Sequence, residues 1–239
     1  MVGGVRTGMT YIHRLIHARG VRRRMSVMKG VRLETRMKAL AKALVVVIAC
    51  SCAPAQANDI ALAARSQIGV TVRYDPTYRE IAFPNGDVPR DRGVCTDVIV
   101  RALRDSRAID LQREVNADMA AHWDAYPHRW SWFRAKPDSN IDHRRVPNLM
   151  TYFARQGYAV AISNDPRDYE AGDIVAWRLG NDVLHMGIVS DRSVADRPLA
   201  GRPLIVHNIG SGTKEEDVLL RFRLIIGHYR LPIKPDKLN

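Results

Sequence analysis

Apolar positions in the first half of the chain recur every three or four residues, which is the spacing of one face of an α-helix. This period predicts four helices, at about residues 58–66, 95–103, 110–124 and 147–155. Asn58 and Asp59 can cap the first helix, and Pro147 can open the last because proline suits the first helical turn. Residues 71–94 lack the period and contain a strong turn signal at residues 84–87, so this segment is predicted to be irregular.

The second half of the chain changes to short runs that are rich in β-branched and other apolar residues. These runs predict strands at Ala159–Ile162, Asp173–Arg178, His185–Ser190, Pro203–Asn208 and Arg223–Arg230. Helices followed by a series of strands are typical of an α+β fold with an antiparallel sheet. Residues 58–239, 182 in number, contain no repeat or linker-like segment and are predicted to form a single domain.

An export signal is predicted before this domain, within the N-terminal extension of residues 1–57. Residues 37–42 are basic, residues 43–49 are a compact apolar run, and Ala55-Gln56-Ala57 fits a small-x-small cleavage site. The apolar run is far shorter than the roughly 20 residues that span a bilayer. A second route remains open, because residues 47–50 resemble a bacterial lipobox in which a lipidated Cys50 would attach the protein to a membrane. We therefore expect an exported protein of the periplasm or cell envelope.

Most of the positive charge lies in this N-terminal segment. Residues 1–57 hold 11 of the 37 Lys and Arg residues and one acidic residue, which leaves 26 basic and 24 acidic residues in the domain. The domain has no arginine-rich run and no basic stretch interleaved with aromatics. The high isoelectric point is therefore no argument for nucleic-acid binding, and no nucleic-acid partner is predicted.

Cys95 is the only cysteine of residues 58–239, since Cys50 and Cys52 belong to the export segment. An unpaired cysteine is unusual in an oxidising compartment. Cys95 stands where a loop runs into a predicted helix, whose N-terminus would lower the pKa of the thiol and offer N–H donors to an oxyanion. These features predict a nucleophile, and the competing interpretation is a small buried apolar residue.

Two histidines in the predicted strands complete a possible catalytic set. His185 opens one strand and His207 lies near the end of the next. A catalytic thiol needs a neighbouring base, and the base needs a third group that fixes its tautomer. His207 and Asn208 point to opposite faces of a strand, so only one of them can face Cys95, and His207 is favoured.

The same residues resemble the NlpC-type, papain-like cell-wall cysteine peptidases. The resemblance lies in Gly172–Trp177, His185–Val189 and Ile205–His207, and it implies that Cys95, His185 and His207 are nucleophile, base and orienting residue. It also implies an α+β, papain-like fold with N-terminal helices, in which the nucleophile helix packs on an antiparallel β-sheet. Around the cysteine the sequence reads Val94-Cys95-Thr96-Asp97 where that superfamily has Asp-Cys-Ser-Gly, a difference that bears on substrate preference.

A closer resemblance, over nearly all of residues 58–239, is to a bacterial family called domain of unknown function 1287. The segments that carry this resemblance are residues 83–89, 93–98, 140–149, 207–210 and 227–230. The name of the family leaves its activity open.

Other polar residues are candidates for binding a substrate. Asp142, His143 and Arg145 form a cluster between two predicted helices, and Arg145 could clamp a peptide carboxylate. The alternative is a loop held by ion pairs and hydrogen bonds. Asn208 is the fourth substrate-binding candidate.

An aromatic sugar-binding surface and a metal site are two further possibilities. The aromatics Trp130, Trp132 and Phe133 fit a core better than a sugar platform. No His-Glu-x-x-His or paired Cys-x-x-Cys spacing occurs, and convergence of His185, His207 and Asp173 on an ion is disfavoured. No metal or cofactor is predicted.

The sequence thus predicts an exported cysteine hydrolase that cleaves an amide bond in cell-wall (peptidoglycan) peptide. Two alternatives come from other classes of protein. One is a non-catalytic module that binds wall peptide or glycan, and the other is an acyltransferase that forms a thioester and passes the acyl group to a lipid or an amine.

Overall fold

The computed structural model describes residues 55–127, 136–195 and 201–232. The predicted signal, its cleavage site up to residue 54, Cys50 and the aromatic cluster at residues 130–133 lie outside the described residues. In the described ranges no helix is both long and apolar enough to cross a membrane.

Within the described residues, four helices precede the main sheet, as the hydrophobic pattern predicts. They are α1 (Ala55–Arg65), α2 (Cys95–Arg107), α3 (Leu111–Ala121) and α4 (Val146–Arg155). Asp110 caps α3 by accepting hydrogen bonds from the backbone of Gln112 and Arg113, and a proline lies in the first turn of α4. The first helix begins at Ala55, before the predicted caps Asn58 and Asp59.

The described part of the chain contains seven strands, which form two sheets. The short strands β1 (Arg73–Tyr74) and β2 (Arg92–Gly93) pair in parallel within the segment predicted to be irregular. The main sheet contains β3 (Ile174–Arg178), β4 (Leu184–Ser193), β5 (Pro203–Asn208), β6 (Thr213–Glu216) and β7 (Leu224–Tyr229). Its strand order is β6-β5-β4-β3-β7, and every pairing is antiparallel. The predicted α+β class is confirmed.

One predicted strand is missing from the main sheet, and one strand of that sheet was not predicted. Residues 159–162 make only an isolated bridge, between Ala159 and Tyr229. Val160 and Ile162 are 38% and 50% exposed, so this apolar run does not enter the core. Strand β6 was not predicted, because its sequence Thr-Lys-Glu-Glu has no apolar alternation.

The two faces of the main sheet belong to two hydrophobic clusters. On one face, Ala176, Met186, Ile188 and Val206 pack against the buried side of α2 in the larger cluster, which also contains Cys95. The other face carries Val175, Trp177, Val189 and Ile205, which form a smaller cluster with Tyr169 and Leu219. The predicted packing of the cysteine helix on an antiparallel sheet is confirmed, and it places the N-terminus of α2 beside β4 and β5.

Candidate active site

Cys95 is the first residue of α2 and lies at the wall of a cavity of about 540 Å³, a volume suited to a small-molecule or peptide segment. Its side chain is largely covered, and the residue is 5% exposed. The rest of the wall is formed by Tyr74 and Pro76, by Val94, by Ile141, by residues 144–147, and by Arg178 with residues 182–184. The cavity is the place where a substrate could reach the thiol.

A buried ion pair fixes the N-terminus of α2. The Asp97 carboxylate accepts a hydrogen bond of 2.6 Å from the backbone N–H of Val94, which caps the helix. The same carboxylate accepts two hydrogen bonds from the Arg144 guanidinium, at 2.8 and 2.9 Å, and both side chains are at most 4% exposed. Thr96 adds a bond from its hydroxyl to the carbonyl of Arg144. Cys95 is thereby held against the segment that supplies Arg144 and Arg145 to the cavity.

Arg101 of α2 forms hydrogen bonds with several residues of the segment 71–94. Its guanidinium donates to the Asp87 carboxylate, to the Thr71 hydroxyl and to the carbonyls of Val88 and Arg92. The residue is 1% exposed, so these bonds satisfy a charge that would otherwise be buried at high cost. The segment that carries Tyr74 and Pro76 to the cavity is therefore tied to the same helix as the thiol.

His185 and His207 contact each other directly. Nε2 of His185 lies 3.0 Å from Nδ1 of His207, within hydrogen-bond distance. The two rings lie nearly perpendicular, and the ring of Phe222 packs edge-on against both. Nδ1 of His185 makes no hydrogen bond with any residue that the structure describes. The structure therefore brings together the predicted base and its predicted orienting residue.

The thiol approaches β4 from the other side. Met186 packs with Cys95 in the larger cluster, and its backbone N–H lies close enough to the sulfur to stabilise a thiolate. Neighbouring residues of a strand point to opposite faces, so the ring of His185 lies on the face of Trp177 and Phe222. Among the described residues no hydrogen bond joins the thiol to an imidazole. The structure thus brings the sulfur to the backbone next to His185, without a direct contact to its ring.

Asn208, rather than His207, faces the cysteine segment. Its Nδ2 donates to the carbonyl of Gly93 at 3.0 Å, two residues before Cys95, and the residue is completely buried. The prediction that His207 and Asn208 point to opposite faces is confirmed, whereas the choice of His207 as the residue facing Cys95 is wrong. The proposed substrate contact of Asn208 is also wrong, because its amide is used inside the protein to anchor the loop before α2.

Of the three other substrate-binding candidates, only one lines the cavity. Arg145 lines the cavity, and its Nε lies 3.9 Å from the Asp142 carboxylate. Asp142 and His143 do not belong to the cavity wall. Asp142 instead accepts a 2.6 Å hydrogen bond from the backbone N–H of Asp138, and His143 is 2% exposed. Contact of these two residues with a substrate in this cavity is therefore not supported, because the Asp142 carboxylate is hydrogen-bonded within the loop and His143 is buried.

The pKa values of the site reflect its burial. Burial raises the pKa of the Cys95 thiol to about 11, while nearby backbone amides offset part of the rise. The backbone amides of Cys95 and Thr96 at the start of α2 lower the pKa, as predicted, but burial outweighs them. Burial and the neighbouring His207 lower the pKa of His185 to about 3. Thiol and imidazole are consequently both neutral near pH 7.

Asp173 lies apart from the histidine pair. Its carboxylate lies 2.7 Å from Nε2 of His228 and accepts two hydrogen bonds from Arg230. The ring of His228 stacks on Tyr169, at the other end of β3 from His185. The disfavoured metal set of His185, His207 and Asp173 does not converge. In the described ranges no three His, Cys, Asp or Glu side chains are placed to hold a metal ion.

Several residues of the site were missed at the level of sequence. Asp97 at the third position of α2 is a recognisable capping signal, but its pairing with Arg144 is a contact across 47 residues. Arg178 lines the cavity from the end of β3. The Glu216 carboxylate lies 3.0 Å from Nε2 of His207, from a strand that was itself not predicted.

Comparison with known proteins agrees with the family resemblance. The protein is 53% identical over 182 residues to the uncharacterized protein YijF of Escherichia coli (strain K12), across 75% of this chain and 85% of that protein. The structure of NlpC1 from Trichomonas vaginalis gives a TM-score of 0.38 at 12% identity, over 75% of this chain and 46% of that one. Because that TM-score is low, the fold and site rest on the geometry of this chain. A family model described as "Domain of unknown function (DUF1287)" matches residues 61–231, and the chain belongs to this family.

Proposed function

We propose that the protein is a cysteine hydrolase that cleaves an amide bond in peptide of the bacterial cell wall. The observation that carries the proposal is the His185–His207 hydrogen bond of 3.0 Å, made by a histidine that directly follows Leu184 in the wall of the cavity that Cys95 lines. A base with one ring nitrogen fixed and the other without a partner is the arrangement that activates a nucleophile. The wall substrate and the periplasmic or envelope location belong to the same proposal, and their support is the export signal predicted within residues 37–57.

The proposed reaction proceeds through a thioester. Cys95 Sγ attacks the carbonyl carbon while Nδ1 of His185 takes the thiol proton, and the backbone N–H of Cys95 donates to the oxyanion. The carbon–nitrogen bond then breaks and His185 passes its proton to the leaving amine. Water, deprotonated by His185, attacks the thioester, which releases the carboxylic acid and restores the thiol.

The Cys95 thiol and the His185 imidazole are both neutral before substrate binds, and this determines how the thiol is activated. With the pKa of Cys95 raised to about 11 and that of His185 lowered to about 3, the proton stays on sulfur until substrate binds. Proton transfer then accompanies attack, as with a hydroxyl nucleophile. His185 follows Leu184, which lines the cavity, but the His185 ring lies on the opposite face of the sheet and outside the cavity wall, so the proposed proton transfer requires this end of β4 to rearrange when substrate binds.

A non-catalytic wall-binding module is the second candidate. The raised thiol pKa and the lack of a thiol–imidazole hydrogen bond in the described residues favour it. Such a module would use the same cavity to hold wall peptide, and it would bind sacculi without releasing fragments.

Substitution of Cys95 by alanine is expected to abolish fragment release. The protein and its Cys95→Ala variant would each be incubated with intact sacculi under reducing conditions, and soluble muropeptides would be measured by mass spectrometry. We expect the variant to lose activity by about 10³-fold or more. Glu114→Gln, on the exposed side of α3, is the matched control and should keep full activity.

Each result of this experiment decides between the candidates. Fragments that appear only with Cys95 present would establish a cysteine hydrolase, and their masses would identify the bond. Equal release by the wild type and the Cys95→Ala variant would refute the hydrolase proposal. Sacculus binding without release by either protein would favour the binding module.

Arg145 is proposed to bind a carboxylate of the substrate peptide, since it lines the cavity close to Cys95. Arg145→Ala is expected to raise KM for the wall-peptide substrate about tenfold or more, through loss of one charge-assisted hydrogen bond, with little change in kcat. Arg167→Ala removes an arginine that is exposed and pairs with Asp165 outside the cavity, and it should leave KM unchanged. An unchanged KM in Arg145→Ala would remove this residue from the binding site.

A further inference from the structure

A carboxylate stands behind the histidine pair. Oε2 of Glu216 lies 3.0 Å from Nε2 of His207, the ring nitrogen that does not contact His185. Strands β5 and β6 pair so that Ile205 lies opposite Glu216 and His207 opposite Lys214, which places Glu216 diagonally across from His207 on the same sheet face. The three side chains therefore form a row from β4 through β5 to β6.

The chemistry of this row fixes the position of each proton. An ionised carboxylate can only accept hydrogen bonds, so Nε2 of His207 carries a proton when it faces Glu216. Nδ1 of the neutral His207 is then an acceptor, and it must receive its bond from the Nε2–H of His185. Nδ1 of His185 is left with a lone pair, which is the state a general base requires.

The opposite order of protons would inactivate the site. If Nδ1 of His207 carried the proton, it would donate to Nε2 of His185, and the proton of His185 would move to Nδ1. That nitrogen could then take no proton from the thiol. The histidine pair permits both orders, and the carboxylate behind it favours only one of them.

We propose that Glu216 is a positioning residue that selects the Nε2–H tautomer of His207 and, through it, the tautomer of His185 that acts as a base. The role in catalysis rests on the proposed function, whereas the tautomer assignment stands on the geometry alone. The Glu216 side chain is 43% exposed and His207 is 1% exposed, so the carboxylate reaches the buried ring from the solvent side.

The other groups around His207 fit this assignment. Phe222 packs edge-on against both imidazole rings. Burial lowers the pKa of His207, Glu216 offsets part of this effect, and Lys214 on the same strand as Glu216 adds to the lowering. His185 faces His207 from β4. The 3.0 Å separation of Glu216 Oε2 and His207 Nε2 is an ion-pair distance without hydrogen-bond geometry, so the proposal requires the exposed Glu216 carboxylate to turn towards the His207 N–H.

Nitrogen NMR of the protein labelled with ¹⁵N-histidine tests the assignment without any substrate. In the wild type we expect both His185 and His207 as Nε2–H tautomers. In Glu216→Ala we expect a mixture of tautomers at both residues, and in Glu216→Gln, whose amide oxygen can still accept, largely the wild-type pattern. Glu114→Ala is the control. An Nδ1–H tautomer of His207 in the wild type, or an unchanged pattern in Glu216→Ala, would overturn the proposal.

The kinetic arm uses the same variants with sacculi. We expect Glu216→Ala to lower kcat by about 10- to 100-fold, as loss of an outer-sphere partner often does, with KM unchanged. The acid limb of the kcat/KM profile should move to lower pH, since the carboxylate that favours protonation is gone. Rescue by Glu216→Gln separates this role from a structural one. An inactive wild type with the expected tautomers would refute the hydrolase and leave the tautomer assignment standing.

Discussion

Replacement of Asp97 by alanine is expected to lower the free energy of unfolding by about 3–5 kcal/mol, the usual cost of breaking a buried ion pair. The substitution leaves the Arg144 guanidinium, whose side chain is 2% exposed, without its carboxylate. It also removes the cap on the backbone N–H of Val94. Urea denaturation followed by circular dichroism would measure the change.

A double-mutant cycle shows whether this loss comes from the pair. Asp97→Ala combined with Arg144→Met should cost clearly less than the sum of the two single substitutions, because the second removes the charge that the first leaves unpaired. Glu114→Ala, at an exposed ion pair with Arg113, should change stability by no more than about 0.5 kcal/mol. An Asp97→Ala variant as stable as the wild type would show that this pair does not hold the N-terminus of α2.

The second large effect concerns the reactivity of the thiol. With the pKa of Cys95 raised to about 11, the thiolate fraction at pH 7 is smaller than that of an ordinary cysteine. Relative to a free thiol of pKa about 8.5, the reduction is roughly 300-fold. Alkylation by iodoacetamide is therefore expected to be at least about 100-fold slower than that of free cysteine at pH 7. The rate should keep rising as the pH is raised towards 11, because burial disfavours the charged form.

The pH dependence of the alkylation rate, rather than the rate at one pH, reports the pKa of the thiol. Burial also slows access of the reagent, which lowers the rate at every pH. The same protein unfolded in urea provides the control, and its thiol should titrate near the ordinary value. A rate that has already levelled off at pH 7 in the folded protein would mean a thiolate–imidazolium pair at rest. In that case the neutral resting pair, and the activation on substrate binding derived from it, would be wrong.

The hydrophobic pattern predicted most of the fold because most of it depends on local periodicity. The period of Val98, Ile99, Ala102 and Leu103 correctly predicted that these residues are buried, although α2 is buried on all sides from Cys95 to Leu103. The errors fall where pairing partners decide the outcome. Residues 159–162 have strand-like composition but only one bridge, to Tyr229, whereas the polar strand β6 exists because β5 pairs with it.

The sequence predicted only those site residues that lie in recognisable motifs in the family order. Family resemblance identified Cys95, His185 and His207, and the structure confirms the contact between the two histidines. The rise in the thiol pKa was not predictable, because it depends on how deeply the tertiary packing buries the sulfur. The roles of Asp97 and Glu216 depend on contacts between distant segments, which no local pattern records.

His207 and Asn208 are adjacent in β5 and serve opposite sides of the sheet. One contacts His185, and the other donates to Gly93, just before Cys95. Because the side chains of a strand alternate, a slip of β5 by one residue would exchange the two and disconnect both ends of the site at once. The register of β5 against its neighbouring strands thus determines which side chain reaches each part of the site. The connection between β5 and β6, residues 209–212, is therefore expected to be sensitive to changes of length.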